Sequence, residues 1–393
     1  MAETRKASRF IVPVAVAGVA AATIGLVPAL AASGDPDLPE ITAQQLIEKI
    51  AASDTQTLSG TFKISTDLGL PALDGLASGL GGLGGGDGGP SSADPSEKLT
   101  ELVSGSHTLR VAADGPERQK LTLLDGSDEY SLIHNGDDVW AYDSKSNEVF
   151  HEKGAAGEGE KADAGKKLPG SPKELADEVL KAAGDTTSIT VDGTAKVAGR
   201  DAYQLVIKPK QSGSTVESVK IAVDAANGTP LKFTLSSVEG GKPVVDAGFT
   251  KVDFGKPAAS EFAFTAPKGA KVTEGAAEKA TDSAEDLPKG FEEGLGLPGL
   301  GAGFGKDGGM NVIGEGWTAI AKLDTGAPAP KTDEAPKEVQ GFLDSFGDKV
   351  SGGFGSGTVF KTKLVNALLT DDGRVYVGAV TKDALVDAAN AGK

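Results

Sequence analysis

Between residues 57 and 253 the chain is written in short runs where apolar and polar side chains alternate, the period-two signature of strands with one buried face. The first run is TLSGTFKIST, residues 57–66, with Leu58, Phe62 and Ile64 on one side. From 105 to 152 follow SHTLRVAA, RQKLTLL, EYSLIHN, DVWAYD and NEVFHE, broken at Asp114-Gly115-Pro116, Asp125-Gly126, Asn135-Gly136 and Ser144 to Asn147. Breaks of two to four residues rich in Gly, Asn and Asp are hairpin turns, so this stretch predicts a β-meander. A second meander is predicted from TSITVDGTAKVAG, DAYQLVIKP, VESVKIAVD, TPLKFTLSSVE and KPVVDAGFTKVDF, with turns at Asn227-Gly228 and Gly240-Gly241. That makes about eleven strands before residue 255.

Two segments change period. Residues 41–52 carry Leu46, Ile47 and Ile50 on one helical stripe behind Thr42 and Gln45, which have capping-box spacing. Residues 171–183 begin Ser-Pro-Lys-Glu, with Ser as N-cap, Pro at the first helical position and Glu two positions on. Their stripe is Leu175, Val179, Leu180 and Ala183, and Gly184 ends it. The fold class expected is therefore mainly β with few helices (α+β): about eleven antiparallel strands and two short helices over residues 41–273.

Glycine punctuates the rest. Residues 68–90 read as a flexible Gly-rich insertion between strands, and 275–311 as a low-complexity linker, charged first and then Gly-rich. Residues 256–268 add FAFTAP and are expected to leave the domain. Residues 312–392 form a smaller C-terminal module. Its expected elements are a strand at 315–323, an apolar segment at 358–370 open to either helix or strand, a turn at Asp371-Asp372-Gly373, the strand RVYVGAV and a last short helix.

The N-terminus has Arg5, Lys6 and Arg9 before an uncharged run from Phe10 to Ala32. Ala29 and Ala31 stand at the −3 and −1 positions of a signal-peptide cleavage site, so residues 1–31 are expected to be removed on export. The rival expectation is an uncleaved signal anchor, since the run is long enough to span a bilayer. Pro28 favours cleavage. Either way the remainder is expected outside the cytoplasm, in the bacterial cell envelope or secreted, with peripheral or no membrane association after cleavage. The formal net charge of −17 loses Arg5, Lys6, Arg9 and Glu3 on cleavage and becomes −19. Such a charge argues against nucleic acid as a partner and against simple electrostatic attachment of the chain to anionic lipid. There is no cysteine, which rules out disulfides, thiolate metal sites, thiol catalysis and a lipid-modified N-terminal Cys.

Little in the chain suggests chemistry. Gly79-x-Gly81-x-x-Gly84 and Gly303-x-Gly305-x-x-Gly308 match a dinucleotide-loop spacing, but neither follows a predicted strand and opens a helix. Gly305-Lys306 is followed by Asp307 where a phosphate loop needs Ser or Thr. His134 and His151 fall on strands taken as neighbours, the one arrangement that would bring two imidazoles to a metal; His107 stands apart, and no ligand-spacing motif is present. No Gly-x-Ser-x-Gly elbow occurs. Asn227-x-Thr229 is a glycosylation sequon whose place in a tight turn suits turn formation instead. No enzyme, no metal and no cofactor is expected.

The order and wording of several segments carry a resemblance. ITAQQLIEKIAAS leading into LSGTFKIS, then HNGDDVWAYDSKSNEV, SPKELADEVLKAA, VAGRDAYQLVIKP, VKIAVDAANGTPLKFTLSS and FAFTAPKGAKV together resemble the LolA-like superfamily over about residues 41–273. That group includes the lipoprotein carrier LolA, the RseB/MucB sensors and actinobacterial lipid-binding lipoproteins. The chain departs from the last by lacking the lipid-attachment Cys, and from the group by its Gly-rich insertion. The C-terminal module resembles the second domain of RseB-type proteins in two features, a strand containing Trp317 and a strand after Asp372-Gly373.

The resemblance implies an open half-barrel of about eleven antiparallel strands covered by short helices, with an apolar cavity between the curved sheet and its helices that holds an acyl lipid or a lipoprotein without catalysis. The alternative it implies is an envelope-stress regulator that binds a membrane regulatory protein, an anti-sigma factor. Alternation places Phe62, Ile64, Leu121, Leu123, Trp140, Tyr142, Tyr203, Leu205, Ile221, Phe233 and Leu235 as candidate lining residues, although any β-sandwich would bury the same residues as core. A third reading, a structural envelope protein with a filled core, follows from that.

Overall fold

The computed structural model describes residues 36–69, 93, 95, 105–153, 171–182, 184–275, 311–324 and 347–392. The signal segment, most of the 68–90 insertion, the 276–310 connection and both Gly-x-Gly-x-x-Gly matches lie outside them.

Among the described residues eleven strands precede residue 255, as the alternation predicts: β1 (Thr57–Thr66), β2 (Gly105–Asp114), β3 (Arg118–Asp125), β4 (Asp128–Asn135), β5 (Asp138–Asp143), β6 (Glu148–Lys153), β7 (Thr187–Val197), β8 (Arg200–Pro209), β9 (Val216–Asp224), β10 (Pro230–Ser237) and β11 (Val245–Asp253). With β12 (Lys271–Glu274) they form one open sheet in the order β12-β6-β5-β4-β3-β2-β1-β11-β10-β9-β8-β7. The two meanders lie side by side because β1 pairs antiparallel with both β2 and β11. The sheet does not close; β12 and β7 are its edges.

Strand β12 departs from expectation. The chain after FAFTAP does not leave the domain at once but returns beside β6 and pairs with it in parallel, Val272 opposite Val149. Four residues are too few for periodicity to reveal, and the partner strand lies over a hundred residues away.

Two helices cover one side. Helix α1 (Ala43–Ala51) has the capping box that the sequence predicts: Thr42 Oγ1 accepts from the Gln45 amide at 3.2 Å, and Gln45 Oε1 accepts from the Thr42 amide at 2.9 Å. Its stripe of Leu46, Ile47 and Ile50 packs on Tyr203, Leu205, Ile221 and Phe233. Helix α2 (Pro172–Ala182) bridges β6 and β7, at opposite ends of the sheet, and lays Leu175, Val179 and Leu180 on the same cluster.

The turn at Asn227-Gly228 seats the end of α1. Gly228 has φ +77°, and a Cβ there would stand 2.3 Å from the Lys49 carbonyl oxygen, so only glycine fits. Asn227 Oδ1 accepts from the Thr229 amide at 3.0 Å, the turn role expected for this sequon.

The C-terminal part builds a second sheet in the order β13-β14-β18-β17-β16-β15, from β13 (Asn311–Ile313), β14 (Ile320–Asp324), β15 (Gly347–Gly352), β16 (Gly355–Phe360), β17 (Asn366–Thr370) and β18 (Arg374–Gly378). Helix α3 (Lys382–Ala391) completes a core of Ile320, Val359, Leu368, Tyr376 and Leu385. The apolar segment at 358–370 is resolved as two strands. Trp317 sits in a one-turn helix, Gly316–Thr318, rather than in a strand, because its ring leaves this sheet and packs against the first one. Its Nε1–H donates to Thr187 Oγ1 at 2.8 Å. Leu364 and Ala379 join the same cluster, and the Thr215 amide donates to the Ala379 carbonyl at 3.0 Å. Among the described residues no helix is long and apolar enough to cross a membrane.

Candidate functional site

The cross-strand registers decide which predicted lining residues share a surface. Phe62 stands opposite Leu109 on β2 and Phe249 on β11, and Ile64 opposite Ala247. Ala247 faces Phe233, which faces Ile221, which faces Leu205; Val245 faces Leu235, and Val223 faces Tyr203. On the other flank Leu109 faces Leu123 and Val111 faces Leu121. Since directly opposed side chains project to the same side of a sheet, nine of the eleven candidates lie on one continuous face running from β3 across β1 to β8. They are Phe62, Ile64, Leu121, Leu123, Tyr203, Leu205, Ile221, Phe233 and Leu235. All nine are buried.

The face is divided into two apolar clusters. One, under both helices, holds Tyr203, Leu205, Ile221, Phe233 and Leu235 with Leu46, Ile50, Ala176 and Trp317. The other holds Phe62, Ile64, Leu121 and Leu123 with Leu109, Val111, Tyr130 and Phe249. Leu175 of α2 is half-buried and touches both, so α2 straddles the seam between them. Two polar tethers lie on this face. The Tyr203 hydroxyl donates to the Pro39 carbonyl at 3.0 Å, fixing the approach to α1, and the Tyr130 hydroxyl donates to the buried Ala93 carbonyl at 3.1 Å.

Trp140 and Tyr142 do not belong to this face. On β5 it is Ala141, opposite Leu132 and Phe150, that points to the apolar side, while Trp140 and Tyr142 point to the other. Alternation alone fixes that Trp140 and Tyr142 share a side, but not which side is inner. Here the large rings are taken by the returning segment: Phe264 lies 5.4 Å from Trp140 and 5.9 Å from Tyr142 between centroids, and His151 stacks on Trp140 at 3.6 Å. Leu109, Val111 and Phe249 also belong to the face and were not among the candidates, although their alternation in TLRVAA and AGFTKV is a signal that could have found them.

The histidine pair is not formed. His134 on β4 and His151 on β6 are separated by β5, and their registers put them on opposite faces. His151 instead sits between two carboxylates, Nδ1 at 2.8 Å from Glu274 Oε2 and Nε2 at 3.0 Å from Asp138 Oδ1, and thereby clamps β12 to the sheet. Among the described residues no group of three His, Asp or Glu side chains is placed to hold a metal ion.

Buried polar chemistry is concentrated at a different point, the turn beside α1. Asp224 is 1 % exposed and pairs with Arg200. Burial pushes its carboxyl up, but the hydrogen bond and charge of Arg200 and the amides of Asn227 and Ala226 outweigh burial and hold it below the ordinary carboxylate value. The pair shapes the turn through the Ala226 and Asn227 amides that Asp224 Oδ1 accepts.

No protein-family model matches the chain, and no curated protein matches it. Among solved structures it is similar to an uncharacterized conserved protein from Thermus thermophilus, at 12% identity over 59% of this chain and 99% of that one, with a TM-score of 0.31. It is similar to a chain in the MucA/MucB complex of Pseudomonas aeruginosa, at 17% identity over 88% of this chain and 96% of that one, with a TM-score of 0.35. It is also similar to a LolA superfamily protein from Nitrosomonas europaea, at 11% identity over 57% and 99% of the two chains, with a TM-score of 0.21.

Proposed function

We propose that this chain is an exported, non-catalytic binding protein of the cell envelope that holds an acyl lipid, or the lipid of a lipoprotein, between its large sheet and the helices α1 and α2. The observation that carries the reading is the continuous apolar face shared by nine predicted residues, roofed by two amphipathic helices and divided by a seam. In the structure as it stands Leu205, Ile221 and Phe62 are fully buried, so the ligand enters by displacing a roof element. Helix α2 is that element, because Leu175 alone of its described apolar side chains packs on both clusters. A chain of about sixteen carbons leaving water gains on the order of 12 kcal/mol at about 0.8 kcal/mol per methylene, enough to exceed the cost of moving a half-buried helix face.

The test is uptake of a fluorescent fatty acid by delipidated protein. Wild type is expected to saturate, and Leu175→Trp, which fills the seam, is expected to weaken uptake while its circular dichroism and melting temperature stay close to wild type. Leu205→Glu, with the same stability control, should weaken it too, since a charge inside an apolar cleft needs solvation. Failure of the wild type to take up probe at any concentration removes the carrier reading.

A second reading rests on the docked C-terminal sheet. Trp317, Leu364 and Ala379 join the first sheet's cluster, so a protein held by the second sheet would be coupled to the roofed face. That arrangement suits a regulator binding a membrane regulatory protein. Affinity capture from envelope extracts, with and without the residues from 311 on, separates it from a simple carrier: only a regulator loses a protein partner on truncation.

A further inference from the structure

The side of the large sheet opposite the apolar face carries an unusual charge for so acidic a chain. Outward from β1, Lys63 stands opposite Thr108 on β2 and Gly248 on β11, and Gly248 opposite Lys232 on β10. One row away Thr61 stands opposite Arg110 on β2 and Lys251 on β11. In the row on the other side Ser65 faces Asp246, Asp246 faces Thr234, and Thr234 faces Lys220 on β9. These three rows over five adjacent strands thus hold Lys63, Arg110, Lys220, Lys232 and Lys251 against one carboxylate, Asp246. Asp246 is already paired with Lys232 at 3.1 Å. Lys63, Arg110 and Lys251 are exposed, and among the described residues none of these three forms an ion pair. The stem of Lys232 lies along Gly248, its Cγ 3.0 Å from where a Cβ would stand.

From this arrangement we infer that this face docks the protein on an anionic lipid bilayer. Four steps between neighbouring strands make the patch about 19 Å wide. It is a broad sheet surface with threonine and serine between the cations and no aromatic side chain in the three rows. A protein partner of ordinary kind would call for buried aromatic or aliphatic anchors at the centre of the contact, and none is there. A surface of phosphate head groups needs only cations and hydroxyls spread in a plane. The net charge of −17 does not prevent this, because at physiological salt charges more than about 8 Å away are screened. It favours approach of this basic face to a negative surface over approach of an acidic one. The inference is independent of the acyl-lipid reading, which concerns the other side of the sheet.

Co-sedimentation of the full chain with vesicles tests it. Binding is expected to mixed phosphatidylglycerol–phosphatidylcholine vesicles near physiological ionic strength, to fall as salt is raised further, and to be absent with phosphatidylcholine alone. The variant K63E/R110E/K251E, altered only at exposed positions, should lose at least about tenfold in affinity. The control K145E/K268E changes exposed lysines outside the patch and should bind like wild type. Equal binding to neutral vesicles, equal loss in the control, or no vesicle binding near physiological ionic strength overturns the inference. Retention on immobilised heparin without vesicle binding also overturns it and assigns the face to a soluble polyanion. Uptake of lipid into the protein would not reverse with salt, so failure here and failure of the acyl-lipid reading are told apart.

Discussion

Arg200 and Asp224 join two turns and a helix end through one buried ion pair. Arg200 Nε donates to Asp224 Oδ2 and its second nitrogen to Oδ1 at 3.2 Å, while Oδ1 also accepts the amides of Ala226 and Asn227, each at 2.9 Å. The Arg200 guanidinium lies over the Phe254 ring at 4.7 Å, and the turn it shapes carries Thr229, whose hydroxyl meets Thr55 at 2.6 Å just beyond α1. The position of α1 over the apolar face therefore depends on a carboxylate that no apolar pattern reveals.

Asp224→Asn should destabilise the protein by about 2–4 kcal/mol in urea denaturation, because it leaves a partly buried guanidinium without its charge partner. The pH dependence has a definite sign. The folded carboxyl is held below its ordinary value, so its contribution is present at neutral pH and is lost as pH falls through and below the ordinary value of 3.8. The gap in stability between wild type and variant should narrow over roughly pH 5 to 2. A gap that stays constant over that range would show that the pair is not the source of the difference.

The two tryptophans should report differently on ligand. Trp317 belongs to the apolar cluster with Leu205 and Phe233, whereas Trp140 stacks on His151 on the opposite face. A spin-labelled fatty acid taken up under α2 should quench the emission of Trp140→Phe protein, which retains Trp317, and leave that of Trp317→Phe protein nearly unchanged. Quenching of Trp140 instead would place the ligand on the wrong side for the proposed site. Trp317→Ala should in addition cost about 3–5 kcal/mol, since it empties a buried ring site and leaves the Thr187 hydroxyl without its donor.

Strand β12 is held by four residues of pairing and by the contact of Glu274 with His151. Glu274→Ala should loosen this edge without unfolding the sheet, at about 0.5–1 kcal/mol for a hydrogen bond to so exposed a carboxylate. Amide hydrogen exchange at Lys271 and Gly275, which donate to the Asn147 and His151 carbonyls, should quicken, while exchange in β8 and β9 stays as it was. Unchanged exchange at both amides would show that the Glu274–His151 contact does not hold the edge, leaving backbone pairing and the Lys271–Glu148 pair.

The sequence by itself determined most of the strands, their turns and helices α1 and α2, because these depend on local periodicity and on residues such as Thr42 and Gln45 that act within a few positions of themselves. It also determined that Phe62, Ile64, Leu205, Ile221 and Phe233 would be buried, since each sits in a run of alternating apolar residues. Only the tertiary structure decided which side of each strand is the shared one. Trp140 and Ala141 are neighbours on β5, and no local rule says that the alanine faces the apolar cluster. That choice comes from β12 and Phe264, which return from over a hundred residues away and cover the tryptophan side. The basic face has the same origin. Lys63, Arg110, Lys232 and Lys251 are scattered through the sequence as ordinary solvent-facing positions, and they become a surface only because β1 pairs with both β2 and β11 and brings the two meanders edge to edge.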